Sequence, residues 1–189
     1  MDASFIQAQF EASLPYDAYV KSGTADQLAS WQKVYDQVQL TDAQAELVKA
    51  FVRPIHVVVL SGIWCGDCVQ QGPIIQKIAD ANPQKIHVRW ADRDKHPALA
   101  DQLMVNGGKR VPVVVFAAED FEMAGWFGDR TLRRYRALAA RQLGPSCPLP
   151  GAPLDPNELA DQTQDWVDQF ERIHLMLRLS TRLRQKHND

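Results

Sequence analysis

The first fifty residues carry apolar side chains at helical spacing between polar ones. Thr24 and Thr41 each precede a glutamine by three residues, the form of a capping box at the start of a helix. The apolar residues after each threonine recur at helical intervals, and Pro54 ends the second of these segments. With a further short helix in the first ten residues, the pattern predicts an N-terminal helical extension over residues 1–53.

The middle of the chain alternates short apolar runs with helical patterns. Strands that alternate with helices pair in parallel through crossovers, whereas two adjacent strands form a hairpin. The pattern therefore predicts an α/β core with a mixed sheet over residues 54–144. Its longest helix is expected to be interrupted at Gly72-Pro73. Strands are predicted over residues 55–60, 86–90, 111–117 and 121–127, and helices over residues 65–81, 97–105 and 128–143.

A proline-rich segment separates this core from the last helix. Residues 145–156 are predicted to be a linker, and Asp155-Pro156 is expected to start a helix with an acidic N-cap and proline at N1. That helix is expected to reach Leu183. Its apolar stripe is short for a coiled coil, so residues 157–189 are predicted to pack on the core as a C-terminal helix. The stripe comprises Trp166, Phe170, Ile173 and Leu177.

Composition and charge narrow the classes of partner. The chain has 189 residues, a formal net charge of −2 and a sequence pI of about 6.2, which gives no reason to expect nucleic acid or an anionic membrane. Residues 1–10 lack the basic and apolar regions of a secretory signal, and no apolar run approaches the ~20 residues of a membrane-spanning helix. Three cysteines fit a reducing compartment. We therefore expect a cytoplasmic protein that is a monomer or weak dimer.

The chemistry of the chain is concentrated in Cys65-Gly66-Asp67-Cys68, shortly after the first predicted strand. At the start of a helix, unpaired backbone N–H groups and the helix dipole favour an anion, so the pKa of Cys65 is expected to lie below that of a free cysteine. A thiolate there attacks a disulfide, and a second thiol one turn deeper resolves the mixed disulfide. We therefore assign Cys65 as nucleophile and Cys68 as resolving thiol of a redox-active disulfide.

Cys65 and Cys68 could instead be structural cysteines without redox chemistry, or half of a zinc site. A structural zinc site needs four ligands, and no second pair of cysteines or histidines at ligand spacing occurs in the sequence. We therefore expect no metal. Cys147 stands alone among prolines, where an incidental cysteine is favoured over a regulatory thiol. Cys65 is expected to alkylate faster than Cys147 at neutral pH.

These residues resemble the active site of thioredoxin. Trp64 to Cys68 is similar to the WCGPC signature of that family, with aspartate in place of proline, and Pro73 matches the proline that bends its active-site helix. Val111-Pro112 resembles the family's cis-proline, and Gly125 to Gly128 its glycine-bearing last strand. The likeness covers residues 53–144. It implies a thioredoxin-like three-layer α/β sandwich with a central mixed β-sheet, here with helical extensions at both ends.

The resemblance also implies an activity, thiol–disulfide exchange with disulfide-containing protein substrates. It implies no metal or bound cofactor, and electrons would come from a separate reductase. Trp64 is then a partly exposed aromatic at the site, and Val111 and Pro112 present backbone to an extended substrate. The other tryptophans are expected in the core; they are Trp31, Trp90, Trp126 and Trp166.

Three departures from the family pattern bear on this chemistry. Val59 stands where thioredoxin carries a buried acid, so the proton of the resolving thiol needs another route, for which Asp67 is a candidate. An anion beside Cys65 also raises the pKa of that thiol, although Asp67 can equally be a simple helix-start residue. Arg110 and Lys109 can stabilise the Cys65 thiolate, steer an acidic partner or belong to a solvated loop.

The sequence therefore favours a thiol–disulfide oxidoreductase that reduces protein disulfides, with the direction of electron transfer still open. The alternative is a non-enzymatic redox sensor or adaptor whose terminal helices bind a partner. The long extensions and the replaced acid motivate that alternative. A structural role with a vestigial dithiol is a further interpretation.

Overall fold

A computed structural model describes residues 1–143 and 157–188 of the chain. Before the first strand lie α1 (Ala3–Ala12), α2 (Tyr16–Lys21), α3 (Ala25–Gln37) and α4 (Asp42–Lys49). The sheet and its helices comprise β1 (Ile55–Ser61), α5 (Gly66–Ala81), β2 (Ile86–Asp92), α6 (Pro97–Gln102), β3 (Val113–Ala117), β4 (Met123–Gly128) and α7 (Leu132–Gln142). The last helices are α8 (Glu158–Leu179) and α9 (Thr181–His187). Both capping boxes, at Thr24 and Thr41, are formed.

The strands form one mixed sheet in the order β2-β1-β3-β4. β1 is parallel to β2, with Ile55 opposite Ile86, and antiparallel to β3, with Leu60 opposite Val113. β3 and β4 form the antiparallel hairpin that the sequence predicted. Every residue of β1 except His56 is buried, as in a strand with neighbours on both sides and helices on both faces. The α/β fold with a mixed central sheet is therefore confirmed.

Helices cover both faces of the sheet. Because side chains alternate along a strand, His56 and Val57 point to opposite faces. The ring of His56 contacts Phe10 of α1. On the other face Phe116, which is paired with Val57, contacts Phe170 of α8. α1 and α8 thus lie on opposite sides of the sheet, which gives the three layers of the expected sandwich.

The N-terminal helices protect the edge of the sheet at β2. Leu14, between α1 and α2, exchanges two backbone hydrogen bonds with Trp90, of 3.0 and 2.7 Å, which leaves fewer unpaired backbone groups at this edge. Tyr19, Trp31 and Trp90 are completely buried, with ring centroids 5.6 to 5.7 Å apart. Trp31 Nε1 donates to the Ile63 carbonyl oxygen at 3.0 Å. The aromatic cluster therefore supports the loop that leads to the cysteines.

Polar caps place some helix ends differently from the sequence prediction. α7 begins after Thr131, whose hydroxyl caps it, rather than at Gly128. Asp155, the predicted cap of the last helix, lies outside the described residues, as does the predicted linker, and Asn157 caps α8 instead. Ser180 then has an extended backbone and its hydroxyl caps a new helix. The helix predicted to continue to Leu183 is therefore divided into α8 and α9.

Two further predictions are wrong because tertiary packing, rather than the local sequence, decides them. α5 continues through Pro73; proline removes one helical hydrogen bond, but the following turn is fixed by burial of Ile74 and Ile75. Trp126, expected in the core, is 48% exposed. It lies on the edge strand β4, on the face away from α8, whereas its neighbour Phe127 points to α8 and contacts Trp166.

Substitution of Gly72 is expected to destabilise the fold, because α5 lies so close to the aromatic cluster. A β-carbon at Gly72 would lie 2.3 Å from the ring of Trp31, and such overpacking costs about 1–3 kcal/mol. Gly72→Ala should therefore lower the free energy of unfolding, measured by urea denaturation, by that amount. Gly66→Ala in the same helix is the matched control, since a β-carbon there meets nothing within 4 Å, and it should not destabilise the protein because alanine is favoured over glycine in a helix. Equal stability of the two variants would contradict this packing.

Candidate active site

The two cysteines of the motif lie at the first turn of α5, shortly after the end of β1. Cys65 is the N-cap residue, with an extended backbone and no side-chain capping bond. Cys65 is half-buried and Cys68 is buried, and both are free thiols. The Gly62 N–H donates to Cys68 Sγ at 3.4 Å. The loop after β1 is thereby fixed to the buried Cys68 sulfur, while Cys65 stays partly exposed.

Val111-Pro112 lies beside the dithiol. The peptide bond between these residues is cis, and the Val111 carbonyl oxygen lies 3.6 Å from Cys65 Sγ. Gly128, at the end of β4, packs so closely on this loop that a β-carbon there would lie 2.7 Å from the Pro112 carbonyl oxygen. The β3–β4 hairpin and its terminal glycine thus place the proline loop at the cysteines.

Hydrogen bonds and burial give the two thiols different protonation states. A hydrogen bond from the Cys68 thiol, together with backbone N–H groups of Cys68 and Asp67, lowers the pKa of Cys65 to about 6, although partial burial opposes the shift. Burial raises the pKa of Cys68 well above its usual value, and the neighbouring Cys65 raises it further. At neutral pH Cys65 is therefore mainly a thiolate and Cys68 a thiol, the states that attack by Cys65 requires.

Asp67 is held by two arginines at the start of α7. Arg130 Nη2 lies 2.6 Å from Asp67 Oδ2, and Arg134 Nε lies 2.9 Å from Oδ1. Burial by itself raises the pKa of Asp67, but the two guanidinium groups outweigh it and hold the pKa below its usual value. A carboxylate stabilised in this way is a weak base, which argues against Asp67 as proton acceptor for Cys68. The arginines also offset its repulsion of the Cys65 thiolate.

A second acid, Asp129, lies at the site although no sequence motif indicated it. Its side chain is only 3% exposed. It accepts a hydrogen bond from the Tyr135 hydroxyl, and Arg110 and Arg130 each place an Nη1 atom 3.4 Å from its Oδ2. The predicted hairpin could have placed Asp129 at the site. A residue that follows the second strand of a hairpin lies beside the start of the first strand, and here the first strand begins next to Pro112.

Exposed side chains form the mouth of the site. Trp64 is 51% exposed, and the guanidinium carbon of Arg93 lies 4.7 Å from its ring centroid. Arg93 Nη1 donates to the Lys109 carbonyl oxygen at 3.4 Å, and Lys109 Nζ pairs with Asp101 at 2.5 Å. Sequence reasoning missed Arg93, although it directly follows β2 and parallel neighbours end at the same edge of a sheet.

Two buried hydroxyl groups lie in the region of Cys68 where the thioredoxin pattern has an acid. Val59, in the place of that acid, is completely buried. The hydroxyls of Ser61 and Tyr19 are also buried and form no hydrogen bond of normal geometry within the described part of the chain. The Ser61 hydroxyl nevertheless lies near enough to Cys68 to oppose the rise in its pKa, which burial dominates. Tyr19 comes from α2, and no local sequence signal indicated its place here.

The lone Cys147 lies outside the described residues, so the structure adds nothing to its interpretation. Within residues 1–143 and 157–188, no group of three or more histidine, cysteine, aspartate or glutamate side chains is placed to hold a metal ion. No helix in those two ranges is both long enough and apolar enough to cross a membrane.

Comparison with known proteins places this geometry in a family. The thioredoxin family model matches residues 13–140, which includes α2, α3 and α4. A thioredoxin-like protein of Synechocystis sp. is 33% identical over 61 residues, a segment that covers 32% of this chain and 57% of that protein. The chain thus aligns with little more than half the length of this curated relative.

Two solved structures align with most of the chain and not only with its α/β core. A Pseudomonas aeruginosa protein of unknown function superposes with a TM-score of 0.67 at 18% identity, over 87% of this chain and 93% of that one. An HIV epitope-scaffold superposes with a TM-score of 0.61 at 17% identity, over 89% of this chain and 92% of that one. At these identities the likeness shows a shared fold alone, with the terminal helices included.

The pH dependence of Cys65 alkylation is expected to follow its pKa of about 6. Because only the thiolate reacts, the rate with iodoacetamide should fall as pH falls through about 6 and level off above it. Asp67→Asn removes the nearby negative charge that raises this pKa, so its midpoint should lie lower than that of the wild type. The measurement is a rate profile from pH 4 to 9, resolved by peptide mass.

Glu46→Gln is the matched control for that experiment. Glu46 pairs with Lys49 at 2.9 Å in α4, near Asn82 at the opposite end of α5 from Cys65, so its loss should leave the alkylation midpoint unchanged. A wild-type midpoint in the usual range of a free cysteine, or the same shift in both variants, would contradict the electrostatics described for Cys65.

Proposed function

The chain belongs to the thioredoxin family, and on that premise we propose that it is a thiol–disulfide oxidoreductase that reduces protein disulfides through Cys65 and Cys68. The observation that carries the proposal is the difference between the two thiols. Cys65 is half-buried with a pKa of about 6, and beside it Cys68 is buried with a raised pKa. Stepwise disulfide exchange needs such a pair, an accessible thiolate and a protected thiol.

In the first step the Cys65 thiolate attacks one sulfur of a substrate disulfide. A bond forms between Cys65 Sγ and that sulfur, the substrate S–S bond breaks, and the other substrate sulfur leaves as a thiolate that takes a proton from solvent. The Val111 carbonyl oxygen, 3.6 Å from Cys65 Sγ, and the adjoining Pro112 provide backbone for an extended substrate. Trp64 adds an exposed aromatic surface beside them.

In the second step Cys68 loses its proton to solvent water and its sulfur attacks Cys65 Sγ. The mixed disulfide breaks, the remaining substrate sulfur leaves and is protonated, and a Cys65–Cys68 disulfide is formed. The substrate has then gained the two electrons that the protein has lost. The Ser61 hydroxyl donates a hydrogen bond to the developing Cys68 thiolate, in place of the family's acid. A separate dithiol reductant in a reducing compartment, such as the cytoplasm, restores the dithiol.

One observation favours a second candidate function, a redox sensor without turnover. Asp67 of the motif pairs with Arg134, and Arg134 pairs in turn with Glu158 at the start of α8. This row of charges connects the dithiol to the C-terminal helix, so oxidation of the cysteines can alter how α8 packs. A sensor would be oxidised once and would not accelerate the reduction of substrates.

Insulin reduction with dithiothreitol as electron donor separates these two functions. The oxidoreductase should accelerate insulin reduction above the rate of dithiothreitol alone, and Cys65→Ser should return the rate to that baseline because the attacking thiolate is lost. Cys68→Ser, incubated in reduced form with insulin in the absence of dithiothreitol, should accumulate a mixed disulfide, since the resolving thiol is missing. Precipitation of the insulin B chain and non-reducing mass analysis provide the readouts.

Cys147→Ser is the matched control in this assay, because it removes a thiol outside the motif. It should retain the wild-type rate. A wild type that is no faster than dithiothreitol alone would overturn the oxidoreductase proposal and leave the sensor.

A further inference from the structure

A cavity of about 430 Å³ lies in front of Cys65. Its walls carry four cationic side chains and two carboxylates, so they hold an excess of positive charge that outweighs one thiolate. The carboxylates belong to Asp67 and Asp129, and the cations are those of Arg93, Lys109, Arg110 and Arg130. A substrate that approaches the reactive sulfur meets this charge first.

The cations are accessible and the carboxylates lie beneath them. The Arg110 side chain is 40% exposed, whereas that of Asp129, its partner, is 3% exposed. The Arg130 side chain is likewise more exposed than that of its partner Asp67, at 26% against 12%. Since charges near solvent act most directly on a ligand, the surface that faces a substrate is cationic although each arginine has an acidic partner below it.

The other two cations are paired only at the surface. Arg93 pairs with Asp94, and Lys109 pairs with Asp101; these carboxylates are 63% and 61% exposed and are not part of the cavity wall. Exposed ion pairs of this kind contribute little free energy. A substrate carboxylate can therefore replace either partner at low cost.

Arg93 and Arg110 both line the cavity at Cys65. Arg93 stacks over Trp64 and donates to the backbone of the loop before Pro112. Arg110 directly precedes Val111, whose carbonyl oxygen contacts Cys65 Sγ. A planar guanidinium binds a carboxylate through two parallel N–H donors. The two arginines thus form a pair of carboxylate sites next to the attacking sulfur.

We propose that this site selects disulfides whose neighbouring groups are carboxylates, with Arg93 and Arg110 as the residues that bind them. The inference rests on the proposed oxidoreductase function and adds its substrate class. The shared chemistry is an anionic group within a few bonds of the disulfide. Two sources supply it, a small disulfide of an acidic thiol or a disulfide within an acidic protein segment.

Single-turnover oxidation of the reduced protein tests this selectivity without any other reductant. Each event consumes one disulfide, yields two substrate thiols and leaves one Cys65–Cys68 disulfide, which mass analysis of quenched samples counts. The substrates are 3,3′-dithiodipropionate, 2-hydroxyethyl disulfide and cystamine, which are dianionic, neutral and dicationic. Each rate is divided by the rate of dithiothreitol with the same disulfide, which removes differences in intrinsic reactivity.

The dianion should react about tenfold faster than the neutral disulfide after this correction, and the dication slower. The preference should shrink in about 0.5 M salt, where charges are screened. Arg93→Gln and Arg110→Gln should each lower the ratio of dianion to neutral rates by about threefold. Arg172→Gln, at an exposed position of α8, is the matched control and should leave that ratio unchanged.

Two cyclic disulfide peptides that differ only in glutamate or glutamine beside the cysteines distinguish the sources. Preference for the dianion alone identifies a small acidic disulfide, and preference for the glutamate peptide identifies an acidic protein segment. Equal corrected rates for all charges, or ratios that Arg93→Gln and Arg110→Gln do not change, would overturn the selectivity while oxidation itself persists. A protein that consumes none of these disulfides would instead overturn the proposed function, and this inference with it.

Discussion

The hydrogen bonds that end on Cys65 Sγ are the interaction on which the rest of the site depends. They come from the Cys68 thiol and from the first backbone N–H groups of α5, and they hold the pKa of Cys65 at about 6. Such groups are free only at the start of a helix. The fold therefore has to place Cys65 at the start of α5. It does so with a strand before the motif that is buried except at His56, and with an aromatic cluster whose Trp31 holds Ile63 of the loop.

Aspartate in the motif changes the electrostatics less than its charge alone suggests. Asp67 would raise the pKa of Cys65, but Arg130 and Arg134 pair with it and partly cancel its field. Asp129 is likewise paired with arginines, since Arg110 and Arg130 both lie against its carboxylate. The acids are thus kept under the arginines, and the surface around the thiolate is cationic. This arrangement connects the proposed chemistry to the proposed class of substrate.

The sequence was informative where the signal is local. The buried strand, the helix that follows the cysteines, the hairpin and the proline loop all depend on residues close together in the chain, and these elements are present in the structure. The exposure of Trp126 was missed because burial on an edge strand depends on which helix covers which face. Asp129 could have been placed at the site from the predicted hairpin, whereas Arg130 and Tyr19 reach it through tertiary contacts, for which a single sequence carries no direct signal.

The central claim is that Cys65 and Cys68 form one two-electron couple that gives electrons to disulfides. The most direct test is equilibration with defined mixtures of reduced and oxidised glutathione, with the dithiol fraction counted by alkylation and mass. We predict a single transition to a Cys65–Cys68 disulfide at about −200 mV or lower, the range of reducing dithiol proteins. A transition near about −120 mV, typical of a strong oxidant, or no Cys65–Cys68 disulfide at any ratio, would contradict the claim.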